Sequence, residues 1–190
     1  MDISIYQASV PALVHMLRNL SHILQKAAAF SEREGMGPEV LLERRLYPDM
    51  FSLSRQVEIV VAAAKGSAAR LAGRLAQDDE SPEFAVFNRG DEQAFGERLT
   101  SFAELQTLIQ GALGYLDTIS QTEIDAAPDR PITVARRGDA RIFEPQDFVL
   151  RYVLPNLYFH ITVVYALLRS AGVALGKQDF EGAPAYRRPR

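Results

Sequence analysis

Leu154 to Gly176, LPNLYFHITVVYALLRSAGVALG, is the longest apolar stretch of the chain and the one that decides its class. Pro155 stands at its start, where a missing N–H is tolerated, and Gly172 follows the last periodic residues, where a left-handed C′ position is favoured. Hydrophobic side chains occupy nearly every face between them. A helix of that kind is covered on all sides, so the stretch predicts the buried spine of a bundle. His160 and Thr162 interrupt its apolar run, which is too short to span a bilayer.

Immediately upstream, Pro145 starts a helix through Phe148, Val149, Tyr152 and Val153, and Pro155 must kink that helix or begin a new one. Before it, Ile132, Val134, Ala140 and Ile142 alternate about Arg137-Gly138-Asp139, the pattern of a short β-hairpin. A two-stranded hairpin is marginal alone and must lie on the helical body. Ser101-x-x-Glu104 forms a capping box ahead of Phe102, Leu105, Leu108, Ile109, Ala112, Leu116 and Ile119, a helix ending near Ser120. Gly111 and Gly114 within it mark the close approach of a neighbouring helix.

Asp78 to Leu99 is irregular, polar and acidic, a long crossover. Ahead of it, Ser52 or Ser54 caps a helix with Val57, Val60, Val61, Ala64, Ala68, Leu71 and Leu75 on one face, ending near Gln77. The first helix has Ser9 as its cap and Pro11 in its first turn, and carries Leu13, Met16, Leu17, Leu20, Ile23, Leu24 and Ala27 at helical spacing. It runs to about Arg33, where Gly35 and Gly37 stop it; Pro38 to Arg45 adds a short helical turn. Four long amphipathic segments, one long crossover and a small hairpin predict an all-α four-helix bundle. Residues 1–182 form one helical domain, with a disordered basic tail at 183–190 containing Arg187, Arg188 and Arg190.

With 190 residues, 47% of them hydrophobic, the chain is long enough for a sizeable core. A net charge of −3 offers no basic field to nucleic acid. The absence of cysteine removes disulfides, thiolate metal sites and a cysteine nucleophile, and fits a reducing cytoplasm. The N-terminal MDISIYQASVP lacks the basic and apolar regions of a signal peptide.

His160 is the titratable group in the most apolar surroundings. It reads either as a metal ligand held by a second acceptor or as a core histidine bonded to a neighbour. His15 and His22 stand two helical turns apart, about 10.5 Å, which is too far for one ion; they lie on a polar, solvated stripe. Asp49, in the loop before the second long helix, reads as a cap or as a member of a site with His160, and Lys26 is its candidate salt-bridge partner. Phosphate-loop, nucleophile-elbow, dinucleotide and HExxH motifs are all missing from the sequence.

Three segments together, SIYQASVP at Ser4 to Pro11, LYPDMFSLSRQV at Leu46 to Val57, and Leu154 to Phe180, resemble a bacterial domain-of-unknown-function family grouped with the DinB/YfiT-like putative metalloenzymes. That resemblance spans almost the whole chain and implies a four-helix bundle, a homodimer, and a nickel or zinc ion on three histidines. One of those histidines comes from the second helix and two from a late His-x-x-x-His pair. His160 matches the first of the pair, but Val164 stands in the second position, and the second helix offers only Gln56 and Glu58. The usual three-histidine site is therefore missing, and what remains is a lost site or a pocket lined by His160, Asp49, Gln56 and Tyr165.

Two functions follow. One is a cytoplasmic DinB-like bundle that binds a small molecule or a partner, without nucleic acid or membrane. The other is a metal-dependent transferase or hydrolase with an altered site around His160, assisted by Asp49 or Tyr165.

Overall fold

A computed structural model of the chain describes residues 3–136, 138–184 and Tyr186. The basic end at Arg187, Arg188 and Arg190 lies outside the described residues. α1 (Ile5–Arg33) starts earlier than Ser9 because Ser4 and Gln7 form a reciprocal capping box. Ser9 is buried inside the helix, its hydroxyl donating to the Ile5 carbonyl at 2.6 Å, and Pro11 is carried within the helix rather than in its first turn. A short α2 (Glu39–Leu42) follows.

α3 (Leu53–Leu71) is the centre of the bundle: every one of its residues except Lys65 is buried. It packs against both α4 (Phe102–Asp117) and α7 (Leu154–Ser170), while α1 closes the fourth side. The sequence assigned the buried spine to α7, which instead leaves Tyr158 40% and Phe159 55% exposed. The reason lies in side-chain size. Alanine, serine and glycine at 62–64 and 66–69 let neighbours close around α3 from every direction, whereas the bulky side chains of α7 need a free face. α3 stops before Gln77 because Gly73 adopts a left-handed φ of +70° and the Arg74 N–H reaches back to the Ala69 carbonyl at 2.9 Å.

The long crossover contributes 3-10 turns at Pro82–Phe84 and Glu92–Ala94 before the Ser101/Glu104 capping box opens α4. Its path is fixed from below by Arg70, 6% exposed, whose guanidinium donates to the carbonyls of Asp79 (2.8 Å), Phe84 (2.7 Å) and Thr133 (3.1 Å). Gly66 allows this approach, since a Cβ there would come within 2.1 Å of the Phe84 carbonyl oxygen. Gly111 and Gly114 play no such part: a Cβ at either would meet nothing within 4 Å. They lie on an unpacked face of α4, contrary to the close helix contact their sequence positions suggest.

After the short α5 (Gln121–Asp125), the hairpin forms where alternation placed it. β1 (Ile132–Arg136) pairs antiparallel with β2 (Asp139–Phe143), in a register setting Ile132 against Phe143 and Arg136 against Asp139. Ile132 and Val134 are buried on the helical body, while β2 is exposed from Asp139 to Ile142 and turns Phe143 onto Phe148 and Tyr152. Helical geometry then runs from α6 (Pro145–Asp147) through a π-helical stretch, Phe148–Val153, into α7 without a break. Pro155 neither ends nor restarts the helix. The wider π turn accommodates the missing N–H, and the Asn156 amide donates to the Tyr152 carbonyl at 2.7 Å. Gly172, at φ +99°, closes α7 as its sequence position indicates, and α8 (Lys177–Glu181) folds back on α1. Among the described residues no helix is long and apolar enough to cross a membrane.

Replacing Arg70 tests how far the crossover depends on it. Arg70→Ala leaves three part-buried carbonyls without this donor and should destabilise the chain by roughly 2–4 kcal/mol in urea unfolding. Arg70→Lys should recover only part of this, because an ammonium lacks the planar fork that reaches three carbonyls together. A loss below about 1 kcal/mol for the alanine variant would contradict this role.

Candidate functional site

Gln56, Ile59 and Ala62 repeat every three residues on α3 and so share the helix face turned toward α7 and the crossover. Gln56 is 2% exposed, and its amide is used at both ends. The Nε2 group donates to the Phe51 carbonyl at 3.2 Å, which turns Oε1 toward His160 Nδ1 at 2.6 Å. An amide oxygen only accepts, so this contact assigns the imidazole proton to Nδ1 and leaves Nε2 as a lone-pair acceptor. Burial lowers the His160 pKa to about 4, so the ring is neutral at physiological pH.

The crossover covers this imidazole. Phe87 lies parallel to it, with ring centroids 5.5 Å apart, and Phe159 meets it edge-on at 5.3 Å. Phe87 holds a left-handed φ of +51°, unlike any other described non-glycine residue. For an aromatic residue that conformation costs about 1–3 kcal/mol, and such strain concentrates at functional sites. Tyr152 fixes the strained segment by donating its hydroxyl to the Val86 carbonyl at 3.0 Å.

Phe51, Ile59, Ala62, Ala85, Phe87, Arg89 and His160 enclose a cavity of about 40 Å³. That is room for roughly three water-sized groups. Arg89 is its cationic wall: the guanidinium sits 4.6 Å from the Phe95 ring centroid and donates to the Pro82 carbonyl, while its Nε is buried without a partner. Beside it, Arg55 chelates both Glu58 oxygens at 2.9 and 3.0 Å and reaches Glu92 at 3.1 Å; Glu92 also accepts from Arg45 at 2.8 Å. Burial raises the Glu58 pKa, against the lowering influence of Arg55.

Of the five residues singled out from sequence, the fold brings together only His160 and Gln56. Asp49 is exposed and does not line the cavity. Tyr165 points to the other side of α7, where its ring packs edge-on against Phe180 at 6.3 Å. Lys26 pairs with Asp179 at 3.0 Å rather than with Asp49. The sequence missed Arg89 and Phe87 because they sit in an irregular segment with no periodicity; the apolar island around Phe87 was the one available signal. His15 and His22 are exposed, as their polar stripe on α1 indicates, but the sequence did not show that this stripe also docks α8. His15 bonds the Glu181 carbonyl at 2.7 Å, Asn19 the Phe180 carbonyl at 2.9 Å, and His22 the Asp179 carboxylate at 3.0 Å. Their spacing of 4, 3 and 4 residues through Lys26 is the footprint of α8 along the edge of that solvated face.

The donor set does not suit a divalent metal. His160 offers one free nitrogen, Val164 is packed where the resemblance expects a second imidazole, and the remaining walls are carbon and a guanidinium. Among the described residues no three His, Cys, Asp or Glu side chains gather closely enough to hold an ion. A cation beside Arg89 would be repelled, and a lone imidazole is a weak ligand.

Comparison with known proteins agrees with the bundle. The model of a domain of unknown function, DUF1993, matches residues 5–181. A DinB family member protein from Shewanella denitrificans, known from a crystal structure, is 34% identical; the match covers 97% of this chain and 95% of that one, with a TM-score of 0.78. No curated protein matches the chain. The chain belongs to the DUF1993 family, within the DinB-like superfamily of helical bundles.

Proposed function

We propose that this DinB-like protein is a small-molecule-binding protein, whose cavity beside His160 takes a neutral or anionic hydrogen-bonding group in place of the metal ion its resemblance implies. The observation that carries this reading is Arg89 in the same wall as the His160 lone pair. Together they supply an acceptor at Nε2 and charged donors on the guanidinium, an arrangement suited to a ligand with both a donor and an acceptor. Phe51, Phe87 and Ile59 supply apolar contact around those polar groups, the usual composition of a ligand pocket.

The alternative, a metal-dependent transferase or hydrolase built around His160, has less support. A general base works best with a pKa near the working pH, and His160 sits well below it at about 4. Asp49 and Tyr165, its proposed helpers, are elsewhere. We place the protein in the cytoplasm, in keeping with its lack of cysteine and of a membrane-crossing helix among the described residues. A homodimer is also proposed. It is supported by the resemblance and by the unpacked α4 face, where Leu99, Ala103, Leu108, Gly111 and Tyr115 line an apolar groove of about 670 Å³. Sedimentation at micromolar concentration should give twice the chain mass; a monomer would refute the dimer.

Metal analysis of protein purified without a histidine tag tests the site. The expected result is no stoichiometric nickel or zinc, and no change in melting temperature when either is added to wild type or to His160→Ala. Stoichiometric metal lost in His160→Ala would replace the binding reading with the metalloenzyme one.

The neutral His160 also makes stability depend on pH. With a folded pKa of about 4 against an ordinary 6.5, the unfolded chain binds a proton in this window that the folded chain does not. The contribution is therefore complete above pH 6.5 and lost as pH falls through about 4. Comparing wild type with His160→Gln near neutrality and at about pH 4.5, the wild type should lose about 2–3 kcal/mol more. The raised pKa of Glu58 acts in the opposite sense but is shared by both proteins. A gap independent of pH would contradict a buried neutral imidazole.

A further inference from the structure

Arg89 borders a second space. On the outer side of the crossover, Glu80, Asn88, Gln93, Arg89 and Arg136 line an open cleft of about 470 Å³ between the crossover and the hairpin. Ala85 and Arg89 belong to both this cleft and the His160 cavity, so they form the partition between them.

The cleft is positive within a chain of net charge −3. Two guanidiniums face it against the single carboxylate of Glu80, which is exposed. No ion pair within 4.0 Å among the described residues holds Arg89 or Arg136; the Glu58 carboxylate attracts Arg89 from further away, while Arg55 holds that carboxylate directly. Both Glu58 oxygens are already taken by Arg55, and Glu92 is shared by Arg45 and Arg55. The polar network around the partition is also incomplete: Arg89 Nε and Asn88 Oδ1 are buried without partners. Asn88 Nδ2 donates to the Ala135 carbonyl at 2.8 Å, so its oxygen is an open acceptor that suits a hydroxyl or amino group of the ligand beside its anionic group. Gly90 makes room for Arg136, since a Cβ there would stand 2.9 Å from the guanidinium. Arg136 is left half-buried with no carboxylate beside it and Arg89 with one already shared with Arg55, a balance that favours a bound anion.

We propose that this cleft is an oxyanion-binding site, in which Arg89 and Arg136 hold the carboxylate or phosphate group of a small organic ligand. Arg136 comes from the hairpin and Arg89 from the crossover, so the bound group ties the two segments together. Planar guanidiniums suit either oxyanion by paired hydrogen bonds. The two sites share Arg89, so Arg136, which lines only the outer cleft, and His160, which lines only the inner cavity, are the residues that test them apart.

Titration calorimetry on the full chain with inorganic phosphate and with acetate, at ionic strength held constant by chloride, tests the proposal. Saturable binding of either anion is expected, weakened by about tenfold or more in Arg136→Gln and unchanged in His160→Ala. Saturation by phosphate alone identifies a phosphate-bearing ligand, and saturation by acetate as well a general oxyanion site. Arg136 lies on a peripheral hairpin, so its variant should fold, with circular dichroism as the check. Arg89→Gln, if folded, should show the same loss. No saturation by either anion, or equal binding in Arg136→Gln, overturns the proposal; loss in His160→Ala but not Arg136→Gln would move the anion into the inner cavity.

Discussion

The crossover and the hairpin meet at the guanidinium of Arg70, which donates to the carbonyls of Asp79 and Phe84 on the first and of Thr133 on the second. Irregular backbone cannot be laid against a helical core unless its carbonyls find donors, because each buried polar group left alone costs about 1–3 kcal/mol. Arg70 supplies those donors from the central helix itself. The crossover is thereby held against α3, the hairpin against the crossover, and the walls of both candidate sites acquire their positions. Gly66, one turn earlier, completes the arrangement by letting the Phe84 carbonyl approach.

The central helix thus has an unusual composition for its place. A fully covered helix normally reads as apolar throughout, yet α3 carries Arg55, Glu58 and Arg70 among its buried residues. Each is satisfied: Arg55 by Glu58, Glu92 and the Gly96 carbonyl, and Arg70 by backbone. The small residues between them allow helix neighbours and crossover to come close enough to make those bonds. Charge at the core is tolerated here because the partners are geometrically fixed, and each fixed partner anchors a piece of loop.

The inner cavity follows from the same economy of donors and acceptors. Of Gln56 and Glu58, the polar residues the second long helix offers in place of a metal-binding histidine, Gln56 is the one that bonds His160. An amide oxygen that accepts from Nδ1 sets the ring's tautomer and orientation and leaves Nε2 as a neutral acceptor. Arg89 then sets the preference against cations. The strained Phe87 and the unpaired Arg89 Nε, both contributed by the crossover, lie on this same side of the bundle.

Much of the architecture was legible before any coordinates. Helical periodicity, the Ser101/Glu104 capping box, the alternation around Gly138 and the C′ position of Gly172 are local signals, and local hydrogen bonding and sterics enforce them wherever the chain goes. His160 and Gln56 could be named as site candidates from their places in the resembling motifs. Their pairing, the displacement of Asp49, Tyr165 and Lys26 to other surfaces, and the docking of α8 on the polar stripe of α1 were not readable, because they depend on which helix faces meet. The same is true of the exchange of roles between α7 and α3. Hydrophobicity identifies a helix able to be buried, but side-chain volume and the reach of buried arginines select the one that is. Arg89 and Phe87 lie in a segment without periodicity, so tertiary contacts alone, above all those of Arg70 and Tyr152, bring them to the site.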